Sequence, residues 1–187
     1  MTSKAKPQTQ NAISLLKSDH DKVKELFDKF EKAGKAKGKI VSEAIHELKI
    51  HATIEEALFY PALRQIMDDK EGLLEEADEE HHVVKVLIAE LEKMTGHEDH
   101  WEAKFSVLSE NVRHHIKEEE GEMFPKARKT NIDFQALGER MVEMKARLKK
   151  DGVPPDAERK MIEKSGLRGD SPAKKAHESV RVPLKSQ

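Results

Sequence analysis

Apolar positions recur at intervals of three and four along most of the chain, the spacing that one face of an α-helix requires. In the first such stripe, Ile13, Leu16, His20, Val23, Phe27 and Phe30 share a face, and the loop GKAKG at Gly34 to Gly38 ends it. The second takes in Val41, Ile45 or Ala44, Leu48, His51, Glu55, Leu58 and Ala62, with a bend expected at Pro61 and a stop near Asp68-Asp69. A third begins after Gly72 with Leu74, Ala77, His81, Val84, Ile88 and Leu91, and closes at Thr95-Gly96. The fourth reads Trp101, Phe105, Leu108, Val112, His115, Glu119 and Met123. These stripes predict an all-α protein, a bundle of four helices. Phe134, Leu137, Met141, Met144 and Leu148 predict an additional helix within residues 129–150, packed outside the bundle. Residues 151–187 are rich in Gly, Pro, Ser and Lys, the composition of a mobile tail, with a short helix expected after Pro155.

Each of the four stripes carries one inward histidine. In an antiparallel helix hairpin, residues equidistant from the turn lie at one height. The midpoint of His20 and His51 falls inside GKAKG, and that of His81 and His115 inside the TGHED loop. His51 and His81 centre near Ile66, short of the breakers at Asp68 to Gly72, and a bend at Pro61 is the expected remedy. The segments HATIEEALFYP from His51 and HIKEEEGEMFP from His115 repeat one motif, a His followed by a Glu pair and then a Pro. Likewise DHDKVKELF from Asp19 aligns with EHHVVKVLI from Glu80, so the chain reads as a helix hairpin duplicated within one bundle.

A His and a Glu four residues apart face the same way, with Cβ atoms about 5 to 6 Å apart, close enough to converge on one metal. One inward His is ordinarily a hydrogen-bonded core residue. Four at one height together with Glu55 and Glu119 change the balance, because a buried carboxylate without a partner costs several kcal/mol and neither stripe offers an inward Lys or Arg. A divalent metal pair would supply the missing charge. His82, His114, Glu56 and Glu120 sit about 100° around their helices from the candidate ligands. The two histidines are expected to back the site or lie at the surface, and the two acids to bond a ligand His or reach the metal. His46, His97, His100 and His177 lie in polar or loop surroundings and are expected to be solvated; Trp101, Phe105 and Met123 are expected in the core, and Tyr60 admits either reading.

Composition narrows the chemistry. The chain has no cysteine, which excludes disulfides, thiolate zinc sites and iron–sulfur clusters, so any metal takes nitrogen and oxygen ligands. Charged residues make up 37% but the net charge is only −2, with both signs interleaved, which argues against nucleic acid as a partner. The first residues lack the apolar stretch of a signal peptide and no run is long enough to span a bilayer, so a cytoplasmic protein without a membrane partner is expected. A ferritin-like centre would use Glu-x-x-His pairs. Glu43 with His46 and Glu79 with His82 have that spacing but point away from the stripes. A zinc hydrolase fits poorly, since four His and two Glu exceed one tetrahedral zinc.

The DH on the first helix, H-x-x-x-E-E ending in FYP, EEHH on the third and H-x-x-x-E-E ending in FP resemble the hemerythrin-like, or HHE cation-binding, family over residues 11 to 128. The resemblance implies an up-down-up-down four-helix bundle over residues 11–128 that holds a non-haem di-iron centre, with His20, His51, His81 and His115 as terminal ligands and Glu55 and Glu119 as bridges. It further implies a small-molecule ligand, O2, peroxide or NO; the alternatives are a peroxide-consuming, catalase-like enzyme and an iron-handling or sensor protein. The same donors also suit manganese and zinc, which rank behind iron. Two departures stand out. The oxygen carriers take two His one turn apart from the third helix, where this chain has Ala77 and Lys85 around His81, and their fourth-helix acid lies five residues after the His, not four. A water, an extra carboxylate or a vacancy is the expected substitute for the absent imidazole.

Overall fold

A computed structural model describes residues 11–34 and 37–165. Among them there is no strand. Helix α1 spans Ala12–Lys32, and its first turn is closed by Asn11, whose side chain accepts from the Ser14 N–H at 2.9 Å. Helix α2 (Lys37–Ile54) runs back beside it. It continues through a π-helical turn, π1 (Glu55–Phe59), into the short α3 (Tyr60–Arg64). Asp69 accepts from the N–H groups of Leu73 and Leu74, and Gly72, at φ 74°, makes the left-handed turn into α4 (Leu73–Leu91). Helix α5 (Trp101–Glu118) pairs with α4 and repeats the earlier continuation, through π2 (Glu119–Met123) into α6 (Phe124–Ala127).

The bend expected at Pro61 takes the form of these π turns. A proline inside a helix lacks an N–H and crowds the carbonyl four residues back. Here the helix widens just before Pro61 and before Pro125, so that Tyr60 N–H reaches the Glu55 carbonyl and Phe124 N–H the Glu119 carbonyl. Each π turn opens at a Glu of the repeated motif. π turns concentrate at functional positions because the extra residue re-aims the side chains after it.

Two apolar clusters fill the bundle. One includes Ile13, Leu16, Ile54, Phe59, Tyr60, Leu74, Met123 and Phe124; the other includes Val23, Phe27, Leu48, Val84, Ile88, Phe105, Leu108 and Val112. The four histidines lie at the seam between them: His20, His51 and His81 each have an apolar neighbour of one cluster a turn before and of the other a turn after, and His115 follows Val112 of the second cluster. The outer helix α7 (Phe134–Asp151) is capped by Asp133 and packs against α1 and α2, burying Leu137, Met141 and Leu148 in the first cluster. The short helix expected after Pro155 is α8 (Ala157–Ser165), laid against α4 with Ile162 buried. The tail expectation for residues 166–187, His177 included, lies outside the described residues. No helix among the described residues is long and apolar enough to cross a membrane.

Candidate metal centre

All six residues singled out from the stripes are buried and meet at one place. One oxygen or nitrogen from each of His20, His51, Glu55 and Glu119 lies within 4.8 Å of the others, and the same holds for Glu55, His81 and His115. Glu55 therefore belongs to both groups. Glu119 also spans them, its Oε2 standing 3.1 Å from His20 Nε2 and 3.6 Å from His115 Nε2. Imidazole Nε2 atoms face each other in pairs, at 3.1 Å for His20 and His51 and 3.2 Å for His81 and His115.

Behind every imidazole stands a carboxylate. Nδ1 of His20 lies 3.0 Å from Glu120, that of His81 2.9 Å from Glu56, that of His115 2.7 Å from Glu80, and that of His51 3.6 Å from Asp19. A carboxylate holds the proton on Nδ1, which leaves Nε2 a lone pair aimed inward. Two such lone pairs 3.1 Å apart repel unless a cation lies between them. Glu55 makes the same demand: it is 0% exposed, and neither of its carboxylate oxygens receives a hydrogen bond, although Nε2 of His51 and of His81 lie 3.2 and 3.5 Å from Oε2. Four inward lone pairs and a buried, unpaired carboxylate form a cation site with nitrogen and oxygen donors.

Without a metal, protons fill this role. Burial would lower the His51 pKa, but the charges of Glu55 and Glu119 and the nearby Asp19 carry it up to about 10. His115 rises in the same way to about 9, against burial, through Glu119, Glu80 and Glu55. Burial would raise Glu119, yet His115, His20 and His51 hold it far below the usual carboxylate range. Burial likewise opposes ionisation of Glu56 and Glu120, and the imidazole and lysines beside each overcome it.

The model of the hemerythrin HHE cation binding domain matches residues 11–127, well over half the chain. This chain belongs to the hemerythrin HHE cation-binding family. A solved hemerythrin HHE cation binding domain-containing protein from Mycobacterium kansasii is similar, with 27% identity and a TM-score of 0.61, over 76% of this chain and 94% of that one. No curated protein matches.

In this HHE domain the internal repeat extends to the outer carboxylates. Asp19 and Glu80, which align in the repeat, back the His on the other helix of their own hairpin; Glu56 and Glu120 back the first His of the opposite hairpin. Glu56 and Glu120 thus take the imidazole-bonding role of the two weighed from sequence. His82 is half exposed and pairs with Glu158 of α8, while His114 lies outside near Glu118 and Glu80. His46, His97 and His100 are exposed, and Trp101, Phe105 and Met123 are core.

Tyr60 is the residue that spacing alone passed over. It is 0% exposed, and its hydroxyl donates to Glu119 Oε1 at 2.9 Å and lies 3.4 and 3.5 Å from Nε2 of His81 and His115. This is the side on which the third helix lacks a second imidazole, so a phenol oxygen stands where a water, a carboxylate or a vacancy was expected. Burial first, and the negative charges of Glu119 and Glu55 next, push its pKa well above 10. The signal was present in the repeat: Tyr60 aligns with Phe124, the same aromatic with one hydroxyl more. A strict four-residue helical count misses it because π1 inserts an extra residue between Glu55 and Tyr60.

Proposed function

We propose that this HHE domain holds a pair of non-haem iron ions and binds or reacts with a small ligand such as O2, peroxide or NO beside them. His20 and His51 would hold one ion and His81 and His115 the other, with Glu55 and Glu119 shared, and Tyr60 would offer an oxygen on the His81 side. The observation that carries this reading is Glu55, fully buried with both oxygens free of hydrogen bonds among four inward Nε2 atoms. Imidazole, carboxylate and phenol are the donors that iron accepts, and the absence of cysteine leaves no softer set in competition. When bound, the irons supply the electrons or the Lewis acidity that side chains lack.

The chain's own part is binding, orientation and exclusion. Glu120, Glu56 and Glu80 fix three of the imidazoles, Asp19 stands behind the fourth, and Tyr60 holds a proton against Glu119 at the edge of the site. Beside the Nε2 atoms lies a cavity of about 20 Å³, walled by the four histidines and by Val23, Leu48, Ala52, Val84, Val112 and Ile116. It has room for a molecule about the size of water and bears no lysine or arginine, which favours a small ligand without charge.

Elemental analysis of the purified protein, with its ultraviolet–visible spectrum before and after peroxide, tests the reading. A pair of irons per chain with ligand-to-metal absorption that changes on addition is the expected result. A chain that takes up no metal after anaerobic ferrous reconstitution overturns it. Sustained evolution of oxygen from peroxide would place the reaction among catalase-like activities; a spectral change without turnover would make the protein a binder or sensor.

A further inference from the structure

We propose that Lys145, on the outer helix α7, is a positioning residue for the metal centre, acting through Asp19 on the imidazole of His51. The proposal rests on the metal-centre reading above. It concerns a part of the chain beyond the residues that the family model matches, 11–127.

Three of the four imidazoles are steadied from within the bundle. Glu120 behind His20 is paired with Lys17 and Lys24, and Glu56 behind His81 with Lys85. Lys24 and Lys85 occupy matching positions in the repeat, so the two arrangements are copies. Glu80 behind His115 needs no such help, since its side chain reaches Nδ1 at 2.7 Å. His51 is the exception. Its carboxylate is an aspartate, one methylene shorter than the glutamate in the other copy, and Oδ2 stops 3.6 Å from Nδ1.

At that separation neither Asp19 Oδ2 nor His51 Nδ1 has any hydrogen-bond partner, and both atoms are buried. Where Asp19 sits therefore decides whether His51 is backed at all. The other oxygen, Oδ1, accepts from Lys145 Nζ in a short contact, with the two side chains 10% and 15% exposed. Lys145 in turn is fixed by the burial of Met141 and Leu148 on either side of it along α7. A cation so enclosed holds the Asp19 carboxylate in place and aimed across the seam. Without it the carboxylate would turn toward water, and His51 would lose the group that fixes its tautomer and orientation.

The test uses the full chain as wild type, Lys145→Met, Lys145→Arg, Asp19→Asn and Lys149→Met. Lys149 lies on the same helix and pairs with Glu47, which bonds Lys22 and no imidazole, so its variant controls for the loss of one α7 ion pair. Two quantities are read: ferrous iron affinity by anaerobic competition with a chromogenic chelator, and imidazole 15N resonances of the metal-free protein. Lys145→Met is expected to weaken one of the two irons by about tenfold to a hundredfold, in line with losses of outer partners elsewhere. It is also expected to move the His51 ring resonances and leave those of His81 and His115 in place. Lys145→Arg restores both quantities in large part, Asp19→Asn repeats the defect, and Lys149→Met changes neither. Unchanged affinity and an unmoved His51 in either Lys145→Met or Asp19→Asn overturn the proposal, and the second variant decides if the first does not fold. If the wild type binds no iron the metal-centre reading fails, and the metal-free resonances still decide whether Lys145 positions His51.

Discussion

Beside His20 and His51 the aromatic neighbour is Phe124, stacked 5.8 Å from the His20 ring; beside His81 and His115 it is Tyr60, tilted 5.5 Å from the His81 ring and carrying a hydroxyl. The two residues occupy the same place in the duplicated motif, each just after a π turn and just before a proline. The repeat gives two half-sites of two imidazoles and two shared carboxylates, and one hydroxyl oxygen distinguishes their aromatic walls. One half is walled by a ring that can only pack. The other offers a donor that can bond Glu119, and in the proposed centre a metal. The outer layer differs too: Glu80 touches His115 directly, whereas Asp19 reaches toward His51 only with the aid of Lys145 from α7. Two metals held here would be inequivalent, in affinity and in potential.

The largest effect is expected where the halves join. Glu55→Ala removes the carboxylate common to both groups, and elemental analysis should find both metals lost. The thermal midpoint should then stop responding to added iron, forfeiting the roughly 2.7 kcal/mol that a ligand at a hundred times its dissociation constant supplies. A variant that keeps both irons would remove Glu55 from the bridging role. Next come His51→Ala and His115→Ala, which should each deplete one half and leave a single metal bound, countable by titration with ferrous iron under anaerobic conditions. Equal loss of both metals from either variant would mean that the halves do not fill separately.

Tyr60→Phe makes the halves alike. It should weaken one metal by about tenfold, or roughly 1.4 kcal/mol, and change the visible absorption of the iron-loaded protein. It should also cost the metal-free fold about 1.5 to 3 kcal/mol for the lost bond to a buried carboxylate, read by urea unfolding. A spectrum unaffected by Tyr60→Phe would leave the tyrosine as packing alone. A final test varies the pH of the metal-free protein. His51 and His115 rise from 6.5 to about 10 and about 9, so their contribution to stability is complete below pH 6.5 and is lost as pH climbs through that range. The urea midpoint of the metal-free chain should fall between pH 7 and 10, while metal affinity rises over the same interval because fewer protons compete. A flat midpoint would rule out protonated imidazoles as the stand-in for metal.

Much of this was legible in the chain. The spacing of three and four placed His20, His51, His81 and His115 inward, and loop midpoints put them at one height, because helix periodicity and hairpin length are local properties. The carboxylates four residues on followed from the same count. Tyr60 escaped it, since a π turn breaks the count, and no sequence rule places that turn with the certainty of a proline or a glycine. Lys145 escaped for a different reason: its partner Asp19 lies far away in sequence, on a helix that α7 meets only through tertiary packing.

Sequence alone therefore determined the helices, the duplication and the six inward ligand candidates, all of which follow from side chains within a turn or two of one another. Tertiary structure decided which carboxylate backs which imidazole, that a phenol fills the side lacking a second histidine, and that an outer helix reaches the centre. Those are distances between separate helices, fixed only when packing sets their rotation and height.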